Sequence, residues 1–155
     1  MTTHQTKADP GRSIEKGRGG LLRVALKLDA AATGAVGALM LLAAGTVVGV
    51  QRPFVALLGI PASVLVAVGV FLIVYAVFVW GVGSRRRVSR TGAWIAVAIN
   101  VAYVAGCVAV VAAGWFPLTA LGVLFVLAQA AAVAIFAVAQ YLGLRRNPRT
   151  TEDHT

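Results

Sequence analysis

Six polar side chains punctuate a chain that is otherwise strongly apolar: Asp29, Thr33, Tyr75, Asn100, Gln129 and Gln140. All can hydrogen-bond, and Asp29 can also carry a proton. An acid within a membrane run is expensive and draws attention as a functional group, but this one sits at the edge of its run. Asp29 stands in LKLDAAATG, at the mouth of a long apolar run. Lys27 is two residues away and Arg23 six, so neither has the three-or-four spacing that brings helical side chains together. A cationic partner is then expected from Arg85, Arg86, Arg87, Arg90, Arg145 or Arg146. The leading expectation is that Asp29 caps or anchors a helix start, where free N–H groups and the helix dipole favour a negative charge. The sharper one is a proton or ligand site.

The remaining inventory excludes several chemistries. Both histidines, His4 and His154, lie near the chain ends, which leaves no intramembrane bis-histidine haem site. Cys107 is the single cysteine and reads as a small core residue; it allows neither an intramolecular disulfide nor a multi-cysteine metal site. No Ser–His or Cys–His nucleophile pair can assemble in the apolar runs. GRGG at 17–20 lacks the strand and spacing of a phosphate loop. The expectation is no catalytic residue, no metal, no cofactor and no enzymatic activity.

The elements that must position these groups follow from composition. The chain is 59% hydrophobic and 12% charged, against about 25% charged in soluble proteins. A bilayer core ~30 Å thick needs about 20 apolar residues, and the runs at 30–50, 62–83, 91–113 and 118–144 meet that requirement without an internal charge. None alternates as a membrane strand would. The prediction is an all-α polytopic membrane protein, a four-transmembrane-helix antiparallel bundle over residues 21–146. Disordered tails are expected at 1–20, which is basic, and at 147–155.

Of the 14 basic residues, 13 flank the runs on one side, leaving Arg52 alone on the other. Cytoplasmic loops retain Lys and Arg, so both termini should be cytoplasmic, the N-in/C-in arrangement. The net charge of +9 is thus a topology signal, with anionic lipid headgroups rather than nucleic acid as the partner. In LLRVALKL, Arg23 and Lys27 share a helical face, suiting a helix turn at the headgroup boundary.

Depth counting at ~1.5 Å per residue puts Gln140 ~6 Å, and Tyr75 and Asn100 ~12 Å, from the basic boundary of their runs. With Asp29 and Thr33, every span then offers a polar group in that half; Gln129 lies near mid-bilayer. Such groups should turn inward as interhelical hydrogen bonds, or else line a small polar cavity open to the cytoplasm. Gly34, together with Gly45 and Gly49 in a GxxxG, marks close helix packing, within one chain or in a homo-oligomer.

LKLDAAATG with Gly37, Tyr75-Ala76, Asn100, Gln129-Ala130, Phe136-Ala137, Gln140 and GLRR at 143–146 together resemble a group of bacterial, chiefly actinobacterial, four-span integral membrane proteins without an assigned activity. The resemblance covers most of 21–146 and implies fold and an inner-membrane location. Two functions follow as expectations: a structural, accessory or self-associating membrane component, or a small transporter or channel, or a subunit of one, built around Asp29, Asn100 and Gln140.

Overall fold

The computed structural model describes residues 10–44, 53–85 and 88–145. They form five helices: α1 (Pro10–Ala43), α2 (Pro53–Leu58), α3 (Ala62–Ser84), α4 (Arg90–Ala113) and α5 (Ala120–Arg145). No strand occurs among the described residues. Four segments are long and apolar enough to cross a membrane: Leu22–Ala43, Ala62–Ser84, Arg90–Ala113 and Ala120–Arg145. Large apolar side chains such as Val74, Val77 and Ile135 face outward, while the fully enclosed positions include Asp29 and Gln140. A water-soluble monomer rarely exposes so much apolar surface; this is a multi-pass membrane protein.

The four long helices pack in sequence order as a ring. α1 lies along α3, α4 along α5, α1 also meets α5, and α3 touches α4 least. That is the up-and-down order that short connections favour. Small residues set the closest approaches. A Cβ on Gly37 would stand 2.9 Å from the Gly69 carbonyl oxygen and one on Gly69 would stand 3.0 Å from that of Gly37, so α1 and α3 cross backbone to backbone there. Gly34 also faces α3, with its Cβ position 3.3 Å from that of Ala76.

Span one differs from its expected bounds of 30–50. Its membrane segment begins at Leu22, inside a helix that runs unbroken from Pro10. Proline suits a first helical turn, where its missing N–H would have had no partner. The stretch read as a headgroup-boundary turn is instead bundle core on one face: Leu22, Ala25 and Leu26 are buried. Arg23 and Lys27 reach sideways, Arg23 Nη2 donating to the Arg85 carbonyl at 2.8 Å and Lys27 Nζ lying 5.4 Å above the Trp80 ring. Long basic stems can cover apolar surface this way while the charge stays at the rim. Helix also occupies 10–20, within the tail expected to be disordered. Gly45 and Gly49, and the tail at 147–155, lie outside the described residues.

At the end away from most of the basic residues, α2 docks on the start of α5. Thr119 Oγ1 donates to the Leu57 carbonyl at 2.6 Å and accepts from the Gly122 N–H at 3.1 Å, while the Thr119 N–H donates to the Leu58 carbonyl at 3.2 Å. One residue thus caps α5 and fastens α2. Glycine is required twice here. Gly59 has φ +67°, and a Cβ there would collide with the Pro117 carbonyl; one on Gly122 would collide with the Leu58 carbonyl.

Candidate functional site

The buried polar residues converge on one carboxylate. Relative exposure is 0% for Asp29 and Gln140, 2% for Asn100, 5% for Tyr75 and 7% for Thr33. Each spanning helix contributes: α1 supplies Asp29 and Thr33, α3 Tyr75, α4 Asn100 and α5 Gln140. Asp29 Oδ1 accepts from the Thr33 hydroxyl at 3.1 Å, one helical turn on. Asp29 Oδ2 accepts from Gln140 Nε2 at 2.6 Å and from Asn100 Nδ2 at 3.1 Å, with the Tyr75 hydroxyl 3.3 Å away.

The partners also bond to one another. Asn100 Nδ2 reaches Gln140 Oε1 at 3.4 Å, and Asn100 Oδ1 accepts from the Tyr75 hydroxyl at 2.8 Å. Tyr75 has one proton and three acceptors in range, the third being the Ala96 carbonyl at 3.2 Å. The shortest of those contacts, to Asn100, orients the amide so that its NH2 faces Asp29. Asn100 therefore uses both ends of its side chain and ties α4 to α1, α3 and α5.

Local packing explains the convergence. Leu26 and Ala30 flank Asp29 on the buried face of α1 and join Tyr75, Val79, Ala93, Ala96, Val97 and Leu144 in one apolar cluster around the polar group. Ala93 and Ala96 are small enough to let α4 come in close, and both are fully enclosed. At ~1.5 Å per residue, Asp29 lies about 10 Å inside Leu22. A carboxylate at that depth, shielded from water by apolar side chains, depends on hydrogen-bond donors to offset desolvation. The donors that meet it are neutral and are drawn from all four spans.

Two expectations for Asp29 are therefore corrected. It does not cap a helix, because α1 starts at Pro10 and Asp29 lies deep in the helix interior, where backbone N–H groups already have partners. Nor do the arginines of the basic end supply the contacts just described. Arg145 lies 5.2 Å over Tyr141, Arg85 is exposed, and Arg86, Arg87 and Arg146 lie outside the described residues. Of the two readings of these polar groups, interhelical hydrogen bonds are what the side chains make: they close on each other rather than around an opening. Among the described residues no buried side-chain nitrogen or oxygen lacks a partner.

Gln129 does not join the group. It lines a separate, mainly apolar cavity of about 260 Å³ toward the α2 end, together with Tyr103 and Cys107. Sequence reasoning also missed an aromatic girdle. Trp80, Trp94 and Tyr141 each lie four residues, about 6 Å, inside the basic ends of α3, α4 and α5. Trp94 and Tyr141 meet edge to face at 5.8 Å, and Lys27 and Arg145 sit over Trp80 and Tyr141. With Trp115 exposed at the other end, aromatic side chains mark both rims, as they do at membrane–water interfaces. The signal was available: each is one turn from a cationic boundary.

Comparison with protein-family models, with curated proteins and with solved structures found no significant match to the chain.

Proposed function

We propose that this chain is a structural or accessory component of a bacterial inner membrane, and that the Asp29 group is its organising lock. The observation that carries the proposal is the convergence of one polar side chain from each of α3, α4 and α5 on a single buried acid of α1. Such a centre fixes rotation and depth of all four helices together, because no helix can turn or slide without stranding a buried donor. Its partners are the bilayer and, at the basic rim, anionic headgroups drawn to Arg23, Lys27, Arg85, Arg90 and Arg145. The concentration of 13 of the 14 basic residues on that side supports cytoplasmic termini.

The test is Asp29→Asn, which nearly preserves size but sets an NH2 group against the surrounding donors. The variant should accumulate in membranes at a clearly lower level than the parent. Liposomes containing the parent chain should show no proton or solute flux above protein-free liposomes. Flux that Asp29→Asn abolishes while accumulation stays normal would replace this reading with transport.

A further inference from the structure

The cavity at the α2 end has no part in the Asp29 lock, and its walls combine features that suit a ligand. Its volume is about 260 Å³, whereas an apolar cavity of ~150 Å³ accommodates a benzene-sized molecule. Met40, Leu65, Val68 and Phe125 give it apolar sides. At its mid-membrane end Tyr103, Cys107 and Gln129 line it together; at the other end it reaches Trp115 and the rim.

Three observations narrow what could occupy it. Among the described lining residues none is charged, which disfavours an ionised guest, whose desolvation nothing would offset. Gln129 is only half-buried, and its amide brings four hydrogen-bonding positions to a wall that is otherwise mainly apolar. Finally, α4 buries residues only from Gly92 to Asn100, and α3 and α4 touch least of the neighbouring pairs, so the wall between them is thin beyond Asn100. A molecule dissolved in the bilayer has a route in from the side.

We propose that this cavity binds an uncharged, lipid-soluble molecule of the long-chain alcohol type, with its oxygen at Tyr103 and Gln129 and its chain running toward Trp115. The oxygen completes the hydrogen bonding of the Gln129 amide, and the chain covers the apolar walls. The site is independent of the Asp29 group, so either proposal can fail alone.

The probe is a ten-carbon primary alcohol carrying a mid-chain diazirine, applied to the full chain in phospholipid vesicles, with adducts located by peptide mass spectrometry. Labelling should concentrate on the cavity walls, saturate with dose, and fall severalfold when unlabelled decanol is added in excess. Two variants make the assignment specific. Gly106 shares the cavity face of α4 with Tyr103, Cys107 and Val110, and a Cβ there meets nothing within 4 Å; Gly106→Phe should fill the space and reduce labelling at least fivefold without loss of folding. Gln129→Leu should weaken competition by decanol severalfold but leave competition by decane unchanged. Labelling that rises without saturation and is indifferent to Gly106→Phe would show simple partitioning into the bilayer and overturn the proposal. Equal competition by decanol and decane in the parent chain would remove the polar contact and overturn it as well.

Discussion

Asn100 and Tyr75 both touch the buried acid, but they carry different weights. Tyr75 has a single proton to donate, so Tyr75→Phe costs one hydrogen bond, the one Asn100 Oδ1 accepts. Interhelical hydrogen bonds in membranes average about 0.6 kcal/mol, and the loss should stay near that figure. Asn100→Leu removes three contacts at once, to Asp29, Tyr75 and Gln140, and leaves Gln140 Oε1 without its donor; with one buried unsatisfied group at ~1–3 kcal/mol, the expected loss is about 2–3 kcal/mol. Unfolding free energies of the two variants in bicelles, measured side by side, check the ranking, and equal losses would contradict it. Depth counting made Asp29, Thr33, Tyr75, Asn100 and Gln140 legible as a set, because residues at similar depth on inward faces have only one another to meet. Gln129 was grouped with them because, eleven residues from Gln140, it shares that residue's helix face, although depth counting puts it near mid-bilayer. The capping role assigned to Asp29 failed for a related reason: the first charge-free residue was taken as the start of the span, whereas helix and core both begin earlier.

At the scale of the elements, α3, α4 and α5 were legible nearly to the residue, because length and unbroken apolarity leave no other structure in lipid. α1 was harder. Arg23 and Lys27 looked like a boundary, but on a helix they occupy one flank while Leu22, Ala25 and Leu26 enter the core. α2 and its attachment through Thr119 were not visible, since a six-residue helix leaves too short a pattern. The crossing of α1 and α3 at Gly37 and Gly69 was likewise outside the spacing rules, which find small residues along one helix but not their partner on another. It has a measurable consequence. Gly37→Leu must push α3 away and should cost about 1–3 kcal/mol, whereas Gly81→Leu, where a Cβ meets nothing within 4 Å, should change stability by less than ~0.5 kcal/mol. Comparable losses in thermal unfolding would show that the crossing is not a tight contact.

For the whole molecule, lipid as solvent explains both the outward apolar surface and the enclosed polar centre. The basic side, with its aromatic girdle one turn inside, is proposed to set the level at which the bundle sits, and the excess of Lys and Arg there its direction. A reporter active only outside the cytoplasm, fused after Thr155, should be silent. Replacing Arg85, Arg86, Arg87 and Arg90 with Gln while adding four Lys beside Arg52 should yield molecules in which it becomes active. Activity in the parent fusion would reverse the assigned orientation.

The central claim is that a single carboxylate couples the helices, and a double-mutant cycle tests it most directly. Unfolding free energies would be measured in bicelles for the parent, Asp29→Asn, Gln140→Leu and the double variant. The 2.6 Å contact between α1 and α5 predicts a coupling energy of at least about 1 kcal/mol, within the range for a charge-assisted hydrogen bond. Additive losses, with coupling below ~0.3 kcal/mol, would contradict the account.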